Sequence, residues 1–386
     1  MKILLFSNFA LPDSCADATR VISFAKLLGE LGHTCQLLGV CYQENVSLSG
    51  SYDGIDYEML QAKNWTGLHA HKRITQLKSD IIAYLAEHGG YDAILLSNIY
   101  YDYADVFLNY ARKTGTRLLI NALEWYDRSN IQFSGPLGFV KLIKNRIALR
   151  VFYKKMEVVA ISSLLDDYYK LSGCNTVTIP TILDTAKYEA VASVPASGDE
   201  VVKIAYAGNP GRKDYIVNAI RALELLDAEQ RQRLQLHFYG PKEEQLSEAG
   251  ITPEFVQRYK KNIVCHGRIP HERVKFEIAG ADFTVLLRPN KRYANAGFPT
   301  KVGESMACGT PVIANLTSDL HKYIIDGQTG IVCADETPES CAEAFRKALA
   351  MTGEQRQAMH DNCLKMAKEA FDYRVYVDAM EEFLKK

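Results

Sequence analysis

Continuous apolar runs recur along the first half of the chain: KILLFS (2–7), CQLLGV (35–40), AILLS (93–97), RLLIN (117–121) and VVAIS (158–162). Runs without polar alternation predict strands buried on both faces of a parallel sheet. Between the first two lies TRVISFAKLLGELGH, in which Val21, Phe24, Leu27, Leu28 and Leu31 share one helical stripe and Gly32 supplies the stop. Strand, helix, parallel strand is the βαβ unit, so the pattern predicts a doubly wound α/β domain.

After IPTILD (179–184) the sequence changes to YEAVASVPASGDE, rich in Ala, Ser, Pro and Gly, which reads as a linker. The α/β alternation then restarts with KIAYAG (203–208), LQLHFYG (234–240), IVCHG (263–267), DFTVLLR (282–288), PVIAN (311–315) and GIVC (330–333). The expected organisation is one α/β domain over 1–185, a linker over 186–200 and a second α/β domain over 201–371. Two such halves are expected to leave a cleft at the carboxyl ends of their strands, where ligands bind in these folds.

Composition narrows the function classes. At 386 residues, 47% hydrophobic and 24% charged, the chain reads as a globular protein too long for a single core. A formal net charge of −1 supplies no global field for nucleic acid or a membrane. Nine cysteines without a C-x-x-C pair fit a reducing compartment better than a disulfide framework or a zinc site. No stretch approaches the roughly 18 continuous apolar residues of a membrane span. The opening MKILLFSNFALP breaks too early for a signal peptide and reads as a first strand, so a cytoplasmic protein is expected.

Three loops carry candidate chemistry. In GNPGRKD (208–214), Gly208 and Gly211 permit close approach, Asp214 is a natural N-cap for the helix that follows, and Arg212 and Lys213 bring cations to that helix start. The alternatives are a phosphate loop and a solvated turn. In NAGFPTKVGESMACGTPVIAN (295–315), Lys301 stands at a predicted helix start, where unpaired N–H groups already make the field positive. Arg288, Lys291 and Arg292 add to that charge, which asks for an anion in front of the helix. Glu304, one turn beyond Thr300, either accepts from a vicinal diol such as a ribose or pairs with Lys301. In CHGRIPHERV (265–274), Gly267 permits close approach, and the backbone beside Arg268 and Ile269 is suited to a flat base edge.

These residues resemble a known family. PTKVGESMACGTPVIA is similar to the donor-site signature of group 1 (family 4) glycosyltransferases of the GT-B fold, with GNPGRKD, GRIPHERV, LGELGH and IPTILD in support; surface-polysaccharide enzymes of bacteria are the nearest kind. The resemblance implies two Rossmann-like domains facing a cleft and a C-terminal helix (372–386) crossing back to the first domain. It implies retaining transfer of a sugar from a UDP- or GDP-linked donor to a hydroxyl of a glycan or lipid-linked acceptor, without a cofactor and without a metal. Carried over, Glu304 holds the ribose, and Gly208 and Lys213 meet the diphosphate. Gly267, Arg268 and Ile269 line the base, while Gly297, Phe298, Pro299, Thr300 and Lys301 lie beside the sugar and phosphate. The family's second glutamate is Ala296 here and its glycine-arginine pair is Gly208-Asn209, so Arg212 or Arg288 must replace the arginine. Lys213 and Arg288 are expected to stabilise the leaving diphosphate. Glu124 in LINALEWYD is expected either to face the acceptor hydroxyl or to pair with Arg128.

Two other readings stay open: a nucleotide-sugar epimerase or hydrolase on the same fold, which needs carboxylates and His around the sugar and loses one such position at Ala296, and a catalytically silent binding subunit, which Ala296 motivates. On the acceptor side, GFVKLIKNRIALRVFYKKM (138–156) interleaves basic and apolar residues. It is either an interfacial helix on anionic lipid at the inner membrane face or, the favoured reading, an amphipathic helix covering its own sheet.

Overall fold

The structure is a computed structural model describing residues 1–12, 14–63, 70–97, 101–126, 135–192, 201–209, 213–248 and 250–386. It divides into two compact α/β units, Met1–Leu183 with Tyr373–Lys386, and Asp184–Asp372.

The first unit holds β1 (Lys2–Ser7), β2 (Thr34–Cys41), β3 (Ser49–Tyr52), β4 (Ile55–Gln61), β5 (Ala93–Ser97), β6 (Arg117–Ala122), β7 (Glu157–Ala160) and β8 (Thr176–Thr178). They form an eight-stranded sheet in the order β3-β4-β2-β1-β5-β6-β7-β8, parallel except for the β3–β4 hairpin. That hairpin was not read from the sequence. It turns on Asp53 and Gly54, both at positive φ (54° and 77°), the geometry of a two-residue Asp-Gly turn. The helix Ala16–Glu30 buries Val21, Phe24, Leu27 and Leu28 against this sheet, together with Met380, Phe383 and Leu384 of the helix Val377–Lys385.

The second unit holds β9 (Val202–Ala207), β10 (Leu234–Tyr239), β11 (Ile263–Gly267), β12 (Phe283–Leu286), β13 (Val312–Asn315) and β14 (Gly330–Cys333). All pair in parallel, in the order β11-β10-β9-β12-β13-β14. The order reverses between β9 and β12, which makes their carboxyl ends the topological switch point. Its core is built from β-strand residues such as Ile204, Leu236, Phe283 and Ile313, with Phe345 and Leu349 of the helix Pro338–Ala350.

Two segments carry local structure beyond the sequence reading. Where the linker is expected to begin, at 186, the chain forms two short helical turns, Thr185–Tyr188 and Glu189–Ala192, with Val191 buried against Ile278, Ala279 and Cys308. The rest of the expected linker, 193–200, lies outside the described residues. The helix expected over 138–156 is Gly135–Ile147 followed by a π turn (Ala148–Phe152) and a 3-10 turn (Tyr153–Lys155). It buries Leu142, Ala148 and Leu149, yet Phe139 (48%), Val140 (51%), Ile143 (42%) and Val151 remain exposed.

Candidate functional site

Three neighbouring strands of the second unit end on glycines with positive φ: Gly208 after β9 (127°), Gly240 after β10 (122°) and Gly267 closing β11 (65°). Gly208 N–H donates to Tyr239 O at 2.8 Å and Gly240 N–H to Gly267 O at 2.7 Å, which locks the three ends into one staircase. A Cβ on Gly240 would stand 2.3 Å from Gly208 O, and one on Gly208 would stand 2.8 Å from Lys301 Cε. Glycine suits position 208 through its φ of 127°, and any Cβ there would push aside the side chain of Lys301, which runs across it.

The turn after β9 is tied to the end of β12 by Tyr215 N–H donating to Leu287 O at 2.8 Å. That bond sets Asp214 beside Arg288. Arg288 Nε donates to Asp214 Oδ1 at 2.8 Å, and Lys301 Nζ and Tyr206 OH both donate to Asp214 Oδ2 at 2.9 Å. Asp214 is 3% exposed, Arg288 13% and Lys301 27%. Burial pushes the Asp214 carboxyl up, but Lys301 and Arg288 outweigh it and bring the pKa from the ordinary 3.8 down to about 2. Burial, with the charge of Asp214 and the bond to it, pushes the Tyr206 phenol well above its usual range and keeps it a donor. Asp214 was expected as an N-cap; the helix starts later, at Ile216, with Tyr215 in the cap position and no side-chain cap. Its carboxylate is spent on the two cations instead.

Arg288 is also fixed through its backbone. Asn315, at the end of β13, accepts from Arg288 N–H at 2.8 Å and donates to Arg288 O at 2.7 Å. The helix Thr300–Ala307 that carries Lys301 is held by Ser305, whose hydroxyl lies 2.7 Å from Thr284 Oγ1 of β12 and donates to Thr310 O at 2.7 Å. The helix stops as read from the sequence, at Gly309 (φ 75°). Glu304 is half-buried one turn beyond Lys301, and the two line a small recess with Tyr206, Ala207 and Thr284.

The other expected residues divide by what they touch. Lys213 is half-buried in the turn before Asp214, and Arg212 lies outside the described residues. Thr300 opens the helix and is half-buried, with Pro299 buried in front of it. Gly297 ends the helix Arg292–Ala296. Phe298 is buried edge-on to Tyr323, with ring centroids 5.4 Å apart, and packs near Phe371. Ala296 is fully buried, and the side chain of its neighbour Asn295 is engaged internally: Oδ1 accepts from Ser318 N–H at 2.8 Å and Nδ2 donates to Asn290 Oδ1 at 2.7 Å. Arg268 is exposed; Ile269 is half-buried and packs on Ala205, Tyr239 and Ala281. Glu124 belongs to the first unit, half-buried just beyond β6, and its alternative partner Arg128 lies outside the described residues. Tyr206, Asp214 as a counter-charge, and Asn315 were missed by sequence reading; only Asn315, a polar residue closing the strand PVIAN, left a local signal. Among the described residues no group of three or more His, Cys, Asp or Glu is placed to hold a metal ion.

Comparison with known proteins fits this geometry. Residues 191–366 match the family model described as Glycosyl transferases group 1. An uncharacterized glycosyltransferase of Methanocaldococcus jannaschii is 22% identical over 301 residues, 71% of this chain and 74% of its own. Among solved structures, sucrose-phosphate synthase of Thermosynechococcus elongatus has a TM-score of 0.76 at 17% identity, covering 100% of this chain and 98% of that one. HepE of Anabaena in complex with UDP has a TM-score of 0.68 at 14% identity, covering 100% of both chains. A UDP-forming trehalose-phosphate synthase of Burkholderia xenovorans has a TM-score of 0.72 at 12% identity, again covering 100% of both. At such identities the structural likeness shows the fold, GT-B, and the family match shows that residues 191–366, within the second unit, are similar to group 1 glycosyl transferases. Together they support a glycosyltransferase.

Proposed function

We propose that this GT-B protein is a retaining, family 4 glycosyltransferase that moves a sugar from a UDP- or GDP-linked donor to a hydroxyl of a glycan or lipid-linked acceptor in surface-polysaccharide synthesis. One observation carries the reading: Arg288 and Lys301 converge on Asp214 beyond the β9–β12 switch point of a domain similar to group 1 glycosyl transferases. Fixed cations at that edge suit a diphosphate, whose charge grows as the sugar leaves. HepE has been solved with UDP-glucose, which supports a nucleotide-sugar donor here.

In this reading Arg288, Lys301 and Lys213 neutralise the leaving diphosphate without a metal, and Glu304 holds the ribose. Gly267, Arg268 and Ile269 border the base. Attack and departure share one face of the sugar, the departing phosphate takes the acceptor's proton, and Glu124 orients the acceptor hydroxyl. Incubation with labelled UDP- and GDP-sugars and a polyprenyl-phosphate sugar acceptor tests it. Transfer that survives EDTA is expected; epimerised sugar, or binding without turnover, replaces the reading.

The exposed Phe139, Val140 and Ile143 beside the exposed Lys141, Arg150, Lys154 and Lys155 favour a lipid-linked acceptor at the inner face of the membrane. No described helix is long and apolar enough to cross a membrane. Flotation with anionic vesicles at low salt is expected to carry the protein up, and Ile143→Glu to release it.

A further inference from the structure

Arg288 and Lys301 are held by a carboxylate in a way that an ordinary structural ion pair does not require. In the first unit Arg117 and Glu157 form the two-point pair: Nε donates to Oε1 at 2.7 Å and Nη2 to Oε2 at 2.6 Å, so the guanidinium fork is closed. Arg288 instead gives Asp214 only its Nε, and Lys301 takes the second carboxylate oxygen. Among the described residues both Nη groups of Arg288 and two N–H of Lys301 are left without a protein acceptor. Asp214 cannot follow a ligand outwards, since it is 3% exposed and tied from behind to Tyr206, itself 1% exposed. The ammonium of Lys301 also lies 5.4 Å from the centre of the Tyr206 ring.

We propose that Asp214 is a positioning residue of the donor site: a permanent counter-anion that holds two like charges together and turns their remaining N–H groups outward. A nucleoside diphosphate binds alongside the carboxylate rather than in its place. The two cations and one anion leave one net positive charge, so the cluster is stable when empty yet still attracts the diphosphate. Without the carboxylate, Arg288 and Lys301 repel each other and their geometry is lost, although the net charge facing the ligand rises. Affinity then falls where simple electrostatics would raise it. The ligand in this inference rests on the function proposed above; the counter-anion does not.

Two measurements separate the parts. In the first, thermal unfolding of Asp214→Ala is followed in sodium formate and in sodium chloride of equal ionic strength. Formate is expected to recover part of the lost melting temperature by filling the vacated anion site, and not in Asp214→Ala/Lys301→Met. Equal melting in both salts overturns the counter-anion. In the second, UDP and GDP affinities are measured by calorimetry for wild type, Asp214→Asn, Lys301→Met and the double variant. Asp214→Asn, which keeps the shape should the alanine variant fail to fold, is expected to weaken binding of the preferred nucleotide about tenfold in wild type and less than threefold in the Lys301→Met background. The same loss in both backgrounds means that Asp214 acts only through stability, and tighter binding means that it merely repels; either overturns the positioning role. If wild type binds neither nucleotide, the diphosphate reading falls, and the formate result stands apart from it.

Discussion

Each unit brings an arginine to polar partners beside the carboxyl edge of its parallel sheet, and the two are solved in opposite ways. In the first unit Arg20, 1% exposed, donates from Nε and Nη2 to Asn121 Oδ1 at 3.2 and 3.1 Å, from Nη2 to Ile179 O at 2.8 Å and from Nη1 to Pro180 O. Its hydrogen-bond acceptors are all neutral. Burial pulls its pKa down to about 9, with Asp17 acting the other way. In the second unit Arg288 keeps partial exposure, a carboxylate beneath it and an open fork. A buried cation whose donors are closed by carbonyls joins distant segments of chain; one backed by an anion and facing outwards can meet a ligand.

The sharpest break of the comparison is Arg20→Met. It strands Asn121 Oδ1 and two carbonyls, so a loss of about 3–5 kcal/mol is expected in denaturant unfolding. Nucleotide affinity measured on the folded fraction is expected to stay the same; a large drop would join the two sites functionally. Arg288→Met should do the converse, weakening UDP or GDP binding roughly 30–100-fold, about 2–3 kcal/mol, in calorimetry. Loss of stability without loss of affinity would place Arg288 with Arg20.

Acid separates them further. Asp214 has a folded pKa depressed from 3.8 to about 2, so its stabilisation is present above pH 4 and is lost as pH falls from about 4 to 2. At most about 2 kcal/mol is at stake, seen as the difference between wild type and Asp214→Asn across that window. A difference that persists at pH 2 would show that packing, not charge, explains the site. His237, held down to about 4 by burial and by Lys203 and His266, contributes in the same direction at higher pH, from 6.5 towards 4. The wild-type minus Asp214→Asn difference removes it.

The smallest effect belongs to Gly208→Ala. Its Cβ meets Lys301 Cε and its φ of 127° strains any side chain, so about 1 kcal/mol of stability and a several-fold loss of nucleotide affinity are expected. A melting curve and a binding isotherm check both, and unchanged affinity would free Lys301 from the cluster.

Much of the architecture was legible before any coordinates. The runs KILLFS, AILLS and RLLIN begin and end within a residue of β1, β5 and β6, because strands covered on both faces cannot carry polar alternation. The β3–β4 hairpin was missed despite its Asp-Gly turn: SGSY is the exposed edge strand, IDYEMLQ beside it is mostly half-buried, and both lack the apolar run used to find the others. Short β8, Thr-Val-Thr, closes the opposite edge and was missed for the same reason.

The candidate site was legible as a list of residue types but not as an arrangement. Sequence by itself determined two α/β units, the helix start at Thr300, its stop at Gly309 and the gathering of cations at a strand's end, because these follow from local periodicity, glycine and backbone chemistry. It left open what balances Lys301. Tertiary structure decided that: Asp214 precedes Arg288 by 74 positions and Lys301 by 87, and they meet only because β9 and β12 are neighbours in the sheet. An ion pair depends on distance in space and on exclusion of water, and neither is written in the spacing of residues along a chain.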